Sequence, residues 1–230
     1  DKIDLFIFTL GGDTLAGFGL ARLLREYTDH VSTLIPDKCY SAGTLSALGS
    51  NEIIMTKGAT LSPIDPSITR PLNPAVQLNP TQNPQLIPLS VESVAGFQSL
   101  AYEEWKISGK RELTKIFLSL AEKVHPLALG DVYRVRQQIE LLASQLLKQH
   151  RCDKKNIIKI VNKLSKELGS HDYLIYRKEA IEILGKQITI DPKTEELVWN
   201  LFLDFKAEMD LGNIFDPSII LAQTQPPIRN

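Results

Sequence analysis

The first 56 residues alternate between strand-like apolar runs and helix-like segments, and this alternation restricts the fold more than any other feature of the sequence. The strand-like runs are residues 3–10, 31–35 and 52–56. The segments between them, residues 14–28 and 41–48, are predicted to be helices. The order β-α-β-α-β indicates a parallel sheet with right-handed crossovers. In such sheets, binding and catalytic sites form at the carboxyl ends of the strands.

The first strand and the first helix have specific sequence signals. Residues 3–10 (IDLFIFTL) are continuously apolar, which is typical of a strand buried on both faces. Asp13 or Thr14 can cap the helix that follows. Leu20, Leu24 and Tyr27 are predicted to form its apolar face.

The composition changes after this region, and the changes define the expected domain organisation. Seven of the thirteen prolines lie between residues 63 and 88, which indicates a long surface loop. Helical periodicity follows, and a short strand is expected at residues 188–190. The predicted units are an α/β core at 1–68, a proline-rich loop at 69–89, a helical region at 90–169, a return to the core at 170–216 and a tail at 217–230.

A long helix is predicted to begin at Gly130-Asp131. Its apolar residues recur at alternating spacings of three and four positions. They are Val132, Val135, Ile139, Leu142 and Leu146. This stripe fits either the core of the chain or a contact between copies of it.

The charge and cysteine content exclude several classes of protein. A net charge of −1 gives no reason to expect a nucleic-acid partner. No apolar run approaches the roughly 20 residues that span a bilayer. Cys39 and Cys152 lack the spacing of metal ligands, so neither a metal nor a cofactor is predicted. A cytoplasmic location is the default expectation, although the chain begins with Asp1 and a membrane anchor on a missing N-terminal segment stays possible.

Ser41 lies where the second strand-like run gives way to small residues, Ala42 and Gly43. A serine at such a junction is exposed at a helix N-terminus, where backbone N–H groups favour developing negative charge. Gly11-Gly12 occupies the equivalent place after the first strand and can present further N–H groups to a ligand. Taken alone, these residues are explained more simply by an ordinary helix cap and an ordinary turn.

A nucleophilic serine needs a base, and the sequence offers several candidates. His30 and His150 lie at predicted helix ends and are expected to be solvated. His125 precedes a proline at a helix boundary, where capping is the common role. His171 lies in a loop beside Asp172. Asp65 is held between two prolines, where it can orient a histidine or form a turn.

The first 68 residues resemble the serine dehydrogenase proteinase family, which belongs to the Clp protease and crotonase superfamily and is related to signal peptide peptidase A. The matching pieces, in order, are Gly11-Gly12-Asp13, Ser41-Ala42-Gly43-Thr44, Glu52-Ile-Ile-Met55 and Pro63-Ile-Asp-Pro66. A weaker match covers Ser170-His171-Asp172 and the helix after it. The resemblance implies a Clp/crotonase-like core with a predominantly helical C-terminal half.

The same resemblance implies a serine peptidase that acts on a peptide or protein and assembles into a homo-oligomer. Ser41 would be the nucleophile, and the N–H groups of Gly11, Gly12 and Ala42 would form the oxyanion hole. Clp proteases carry a histidine where this chain has residues 60–66, and none is present here. The hypothesis is therefore an exchanged arrangement in which His171 is the base and Asp65 orients it. His125 and Asp172 are the alternative base and acid.

Three further alternatives stay open. Signal peptide peptidases use a serine–lysine pair, so Lys106, Lys110 or Lys115 would be the base in that arrangement. A non-catalytic Clp-fold scaffold is the main alternative function. A crotonase-like acyl-CoA enzyme is the third, although no pair of glutamates marks its site.

Overall fold

A computed structural model describes residues 1–64, 67–77, 83–150 and 153–209. The strands within these residues are β1 (Lys2–Phe6), β2 (His30–Ile35), β3 (Lys38–Cys39), β4 (Glu52–Met55), β5 (Thr60–Leu61), β6 (Ser67–Ile68), β7 (Ala75–Val76), β8 (Gln85–Leu86), β9 (Leu89–Ser90), β10 (Ile175–Tyr176) and β11 (Ile188–Thr189). The α-helices are α1 (Thr14–Tyr27), α2 (Ala42–Ala47), α3 (Val91–Ser99), α4 (Lys110–Lys123), α5 (Pro126–Leu147), α6 (Lys154–Asn162), α7 (Arg177–Leu184) and α8 (Pro192–Glu208). Short π or 3-10 turns lie at Leu100–Glu104, Lys148–His150, Lys163–Glu167 and Gly185–Gln187.

The predicted α/β class with a parallel sheet and a mainly helical second half is confirmed. The main sheet has the order β1-β2-β4-β11, and each neighbouring pair is parallel. Its last strand, β11, comes from the far end of the described chain. The early β-α-β-α-β segment therefore provides three of the four strands, as the sequence indicated.

A second, smaller sheet has the order β10-β5-β3, and the sequence did not indicate it. Strand β3 follows β2 and strand β5 follows β4 after only a few residues, and β3 and β5 pair in parallel. Strand β10 runs antiparallel to β5. This sheet is formed by the segments that follow the carboxyl ends of β2 and β4, together with β10. Ser41 lies two residues after the end of β3.

The apolar stripe of α5 belongs to the core of the chain. Ile139, Leu142 and Leu146 are buried, as is Val132, while Val135 packs against the core from its edge. The helix begins at Pro126, four residues earlier than predicted. Proline fits the first turn of a helix because that N–H has no intrahelical acceptor. His125 caps this start, since its Nδ1 accepts the N–H of Leu127 at 3.2 Å.

Helix α1 was predicted to within one residue of its ends, but two of the three residues assigned to its buried face are exposed, and only Leu24 is half-buried. Asp13 caps it, with its carboxylate accepting the N–H of Ala16 at 2.8 Å. The buried side chain is Ala21, whereas Leu20 is 36% exposed and Tyr27 is 74% exposed. The helix approaches α2 so closely that a Cβ on Gly17 would lie 2.4 Å from the carbonyl oxygen of Ala42. Small residues therefore face α2 at this contact, while Leu20 and Tyr27 are left on the surface.

Strand β1 is an edge strand and is not buried on both faces as predicted. It ends at Phe6, and the chain then leaves the main sheet, so that Thr9 pairs with Cys39 of β3. Aromatic residues of α8 cover this part of the chain. Phe6 and Phe8 contact them, with ring centroids 6.0 Å from Phe205 and 5.3 Å from Phe202, respectively.

The proline-rich segment, predicted as a loop, contains two short antiparallel pairs. Strand β6 pairs with β9, and β7 pairs with β8 inside it. Asn73 supports the turn between them, since its side-chain amide donates to the carbonyls of Ile68 and Ile87 at 2.7 and 2.8 Å. Residues 78–82 and the predicted tail from residue 217 lie outside the described residues. No helix in the described ranges has the length and apolar character needed to cross a membrane.

Candidate active site

Ser41 lies at a sharp turn between β3 and α2. Its backbone has φ 50° and ψ −109°, a left-handed conformation that costs a residue with a side chain about 1–3 kcal/mol. Its side chain makes no capping hydrogen bond to the helix, so the ordinary capping role does not apply. Ser41 is partly exposed, while all six residues of α2 are buried. A hydroxyl displayed on a strained strand-to-helix turn is typical of enzymatic nucleophiles.

Two buried hydroxyl groups hold this turn in place. The Ser41 N–H donates to Ser62 Oγ at 2.8 Å, and Ser62 Oγ donates in turn to the carbonyl of Pro63 at 3.1 Å. Thr44 Oγ1 accepts the N–H of Ser62 at 3.2 Å and donates to the carbonyl of Cys39 at 2.8 Å. Ser62 is 2% exposed and Thr44 is fully buried. These polar contacts tie the end of β5 to both sides of the Ser41 turn.

Sequence reasoning missed both of these residues. Thr44 and Ser62 adjoin or belong to the segments that carry the family resemblance, so a signal was present. Their role depends on the pairing of β3 with β5, and neither two-residue strand has a recognisable pattern.

Replacing Ser62 with Ala is expected to destabilise the Ser41 turn without leaving a large cavity in the core. The Ser41 N–H loses its acceptor, and an unsatisfied buried group costs about 1–3 kcal/mol. We expect a fall in the free energy of unfolding of that order, measured by urea denaturation, and slower reaction of Ser41 with an acylating probe. Ser165→Ala removes another buried hydroxyl, which bonds within its own helical segment to Val161 O at 2.7 Å. A slower probe reaction in Ser165→Ala as well would contradict a specific role for Ser62.

The glycine pair lies directly against Ser41. Gly11 and Gly12 have φ values of 109° and 144°, which side chains strongly disfavour. A Cβ on Gly11 would lie 3.0 Å from Ser41 Cβ and 3.7 Å from Ser41 Oγ. The close approach therefore requires glycine at position 11, and it brings together the two segments that the sequence singled out.

The backbone donors at this point differ in availability. The Gly11 N–H donates to Thr9 Oγ1 at 3.1 Å and is therefore engaged. Within the described part of the chain, the N–H groups of Gly12 and Ala42 have no hydrogen-bond acceptor. Gly12 and Ala42 are thus the two candidate residues whose N–H groups are open to a ligand oxygen.

A groove of about 220 Å³ runs beside these donors. Gly12, Ala42 and Gly43 line one side, and Ile7 and Leu20 contribute apolar walls. Ser46 also lines it. Its Oγ is buried and has no hydrogen-bond partner among the described residues. A second cavity of about 290 Å³ lies beyond Gly12, against Arg70 and Gln138.

The sheet register places the His171 segment at the same end of the molecule as Ser41. Ile175 of β10 lies opposite Leu61 of β5, and Leu61 lies opposite Cys39 of β3. Because β10 is antiparallel to β5, residues before Ile175 lie at the end where Ser41 follows Cys39. His171 is partly buried and Asp172 is exposed. Asp65 lies outside the described residues.

The other candidate bases are placed less favourably. His125 is exposed and occupied as a helix cap. Val135 of the same helix lines the cavity beside Gly12. His125 lies ten residues before Val135, which corresponds to about 15 Å along the helix axis. Lys106, Lys110 and Lys115 are exposed, whereas a lysine base depends on burial.

The His150 imidazole and the Cys39 thiol are both at least half-buried, and burial shifts the pKa of each. His150 is half-buried rather than solvated, because its Nε2 bonds to the carbonyl of Leu48 at 2.8 Å; burial lowers its pKa. It lines a polar cavity of about 660 Å³ with Asn51 and Gln187 at the amino ends of β4 and β11. Burial raises the pKa of the Cys39 thiol to about 12, so this thiol is not a ready nucleophile.

Comparison with known proteins agrees with the resemblance seen in the sequence. Residues 1–84 match the family of ClpP-like SDH-type serine proteinases. Two proteins of the archaeon Methanocaldococcus jannaschii, both described as uncharacterized, are 44% and 39% identical over 66 residues. Each alignment covers 29% of this chain and 23% of the relative, so the chain spans less than a quarter of the length of the curated relatives it matches.

Proposed function

We propose that this chain, whose first 84 residues match the ClpP-like SDH-type serine proteinases, is a serine peptidase with Ser41 as its nucleophile. One observation carries the proposal. The Ser41 side chain stands on a strained turn against Gly11, and the N–H groups of Gly12 and Ala42 beside it have no acceptor within the described residues. Such donors stabilise the oxyanion that forms when a hydroxyl attacks a carbonyl.

The proposed reaction has two steps. Ser41 Oγ attacks the carbonyl carbon of the peptide bond and gives its proton to the base, and the carbonyl oxygen becomes an oxyanion held by Gly12 and Ala42 N–H. The C–N bond then breaks, the amine takes the proton from the base, and an acyl-enzyme remains on Ser41. Water attacks that ester with the help of the same base and regenerates the hydroxyl.

His171 is the proposed base, and Asp65 is proposed to orient it. The register that brings the 171–175 segment to the Ser41 end of the small sheet supports the first assignment. The exposure of the three alternative lysines and the capping role of His125 support it further. Asp172 stays the alternative acid.

The groove beside Gly12 and Ala42 is proposed to accept a side chain of the substrate. Most of its lining residues are glycine, alanine or apolar, and Asp13, Thr9 and the unpaired Ser46 hydroxyl add polar groups. The acyl group bound at the two N–H donors would place a neighbouring side chain there.

Covalent labelling tests the proposal directly. We expect a fluorophosphonate probe to form one adduct, located on Ser41 by mass spectrometry of the digested protein. Labelling of another residue would overturn the assignment of the nucleophile. Complete failure to label the folded protein would instead favour a non-catalytic scaffold, and acyl-CoA turnover without labelling would favour a crotonase-like enzyme.

The pH dependence of labelling tests the base. A histidine base must be neutral to accept the proton of Ser41, so we expect the labelling rate to rise with pH as the imidazole loses its own proton. His171→Ala is expected to lower the rate by about 10²-fold or more and to remove this dependence. His125→Ala is the matched control and should retain both the labelling rate and its pH dependence. Loss of the dependence in the control alone would transfer the role to His125.

Self-association is also proposed, through the exposed face of α1. Leu23 and Tyr27 are 55% and 74% exposed, and Leu20 lies on the same stripe. Contiguous apolar residues on a helix surface commonly mark an interface. A second copy of the chain is the proposed occupant, in line with the homo-oligomer that the family resemblance implies.

A further inference from the structure

A cavity of about 500 Å³ opens at the carboxyl end of β4, against the first turns of α8. It is lined by Thr56, Lys57, Gly58, Pro192, Glu195, Glu196 and Trp199. None of these residues lines the groove beside Ser41. The cavity is therefore separate from the candidate active site, and nothing in the proposed peptidase reaction uses it.

Glu195 is the unusual member of this set. It is 8% exposed, yet only one of its carboxylate oxygens is paired: Oε2 accepts from Arg177 Nη1 at 2.7 Å. The same Nη1 also donates to the carbonyl of Met55 at 3.3 Å. Oε1 is buried and has no hydrogen-bond partner among the described residues. A buried acceptor without a donor is costly, and the cost is larger for a charged group.

The surroundings of Glu195 restrict what can supply the missing donor. A carboxylate oxygen only accepts hydrogen bonds, so the partner must carry N–H or O–H groups. The indole of Trp199 is 42% exposed and Pro192 lies beside it, which gives the cavity an apolar wall. Glu196 adds a second carboxylate at the exposed rim, opposite in charge to Lys57.

We infer that this cavity binds an organic cation, namely an alkylammonium or alkylguanidinium group on a short aliphatic stem. The cationic end donates to the unpaired oxygen of Glu195, while the stem packs on Pro192 and the charge lies against the indole of Trp199. Cations are attracted to aromatic faces, most strongly to tryptophan. The same chemistry is present in a free amine and in a lysine or arginine side chain of a polypeptide.

Isothermal titration calorimetry with n-butylguanidinium tests the inference on the full chain. We expect saturable binding at one site, and we expect n-butylurea, a neutral molecule of the same shape, to bind at least about tenfold more weakly. Trp199→Leu is expected to weaken binding several-fold. Trp105→Leu removes the other tryptophan, which does not line the cavity, and should bind like the parent.

Glu195→Gln is the most direct variant, and we expect it to weaken binding by about tenfold or more. Because it also disturbs the Arg177 ion pair, Glu196→Gln provides a second test that leaves this pair intact. It should weaken binding less than Glu195→Gln, while Glu208→Gln on the same helix should change nothing. Equal binding of butylurea, or parent-like binding by both Trp199→Leu and Glu196→Gln, would overturn the inference.

A capped peptide with one internal arginine separates the two sources of the cation. Binding comparable to that of n-butylguanidinium supports a polypeptide side chain as the occupant. Exclusion of the peptide, with binding of the small cation retained, supports a free amine. The measurements with n-butylguanidinium do not depend on Ser41, so they stand or fall separately from the proposed peptidase activity. Loss of peptide binding in Trp199→Leu distinguishes binding in this cavity from binding of the peptide as a substrate.

Discussion

Ser41→Ala is expected to reduce peptidase kcat/KM by at least about 10³-fold, because it removes the only group proposed to attack the substrate. Fluorophosphonate labelling should disappear with it. The expected loss exceeds that of any other single change, since the oxyanion donors can still bind the substrate but no acyl-enzyme can form. A discontinuous peptidase assay with a purified variant and wild type at equal concentration measures it.

Two companion variants make this result interpretable. Ser144→Ala removes a half-buried hydroxyl from α5, where it bonds to Glu140 O at 2.7 Å, and should retain full activity. Ser41→Gly should be inactive but more stable than wild type by about 1 kcal/mol or more, because glycine relieves the strain at φ 50°. Retained activity in Ser41→Ala would exclude Ser41 as the nucleophile. If Ser41→Gly were less stable than wild type, the backbone at Ser41 would not be strained as inferred.

Gly17→Ala is expected to lower the free energy of unfolding by about 1–3 kcal/mol. The added methyl would lie 2.4 Å from the carbonyl oxygen of Ala42 and 3.2 Å from its Cβ, so α1 and α2 must separate. Ala42 carries one of the proposed oxyanion donors, and we therefore expect slower acylation of Ser41 as well. Urea denaturation measures the stability, with an unchanged m-value as the sign of an intact two-state transition.

Gly19→Ala is the matched control on the same helix. A Cβ at this position meets no atom within 4 Å, and the residue is exposed. Alanine is favoured over glycine inside a helix by about 0.5–1 kcal/mol, so this variant should be more stable than wild type. The two substitutions are chemically identical, but they are expected to change the free energy of unfolding in opposite directions. Equal effects at both positions would rule out the close contact as the cause.

The sequence contained enough information to predict the class of the fold and the centre of the candidate site. Asp13 marked the start of α1 because its side chain caps the helix regardless of distant contacts. Gly11-Gly12 and Ser41 were singled out from strand-to-helix junctions, which local sequence reveals. Their contact follows from the parallel order of the strands.

The second sheet could not be predicted because its strands are too short to have a period. Strands β3, β5 and β10 contain two residues each, and only their pairing identifies them. The roles of Ser62 and Thr44 depend on that pairing, so they were missed for the same reason. The pairing of His171 with Asp65 stays a prediction, since Asp65 lies outside the described residues.

The buried face of α1 shows a different limit. The prediction assumed that the largest apolar residues face the core, and it therefore selected Leu20 and Tyr27. The contact with α2 is too close for them and requires Gly17 and Ala21 instead. Periodicity identifies the helix, but the distance between two helices decides which of its faces is buried.

The small sheet also sets the time at which the site can form during synthesis. Its middle strand, β5, pairs with β10, which lies more than a hundred residues later in the chain. Chains are made from the N-terminus at about 5–20 residues per second, and contacts between distant residues form late. The proposed nucleophile and its oxyanion donors are thus synthesised many seconds before the segment that carries the proposed base. A ribosome-bound chain that ends before residue 171 has Ser41 but lacks His171, so in the proposed arrangement the nucleophile has no base until that segment has been made.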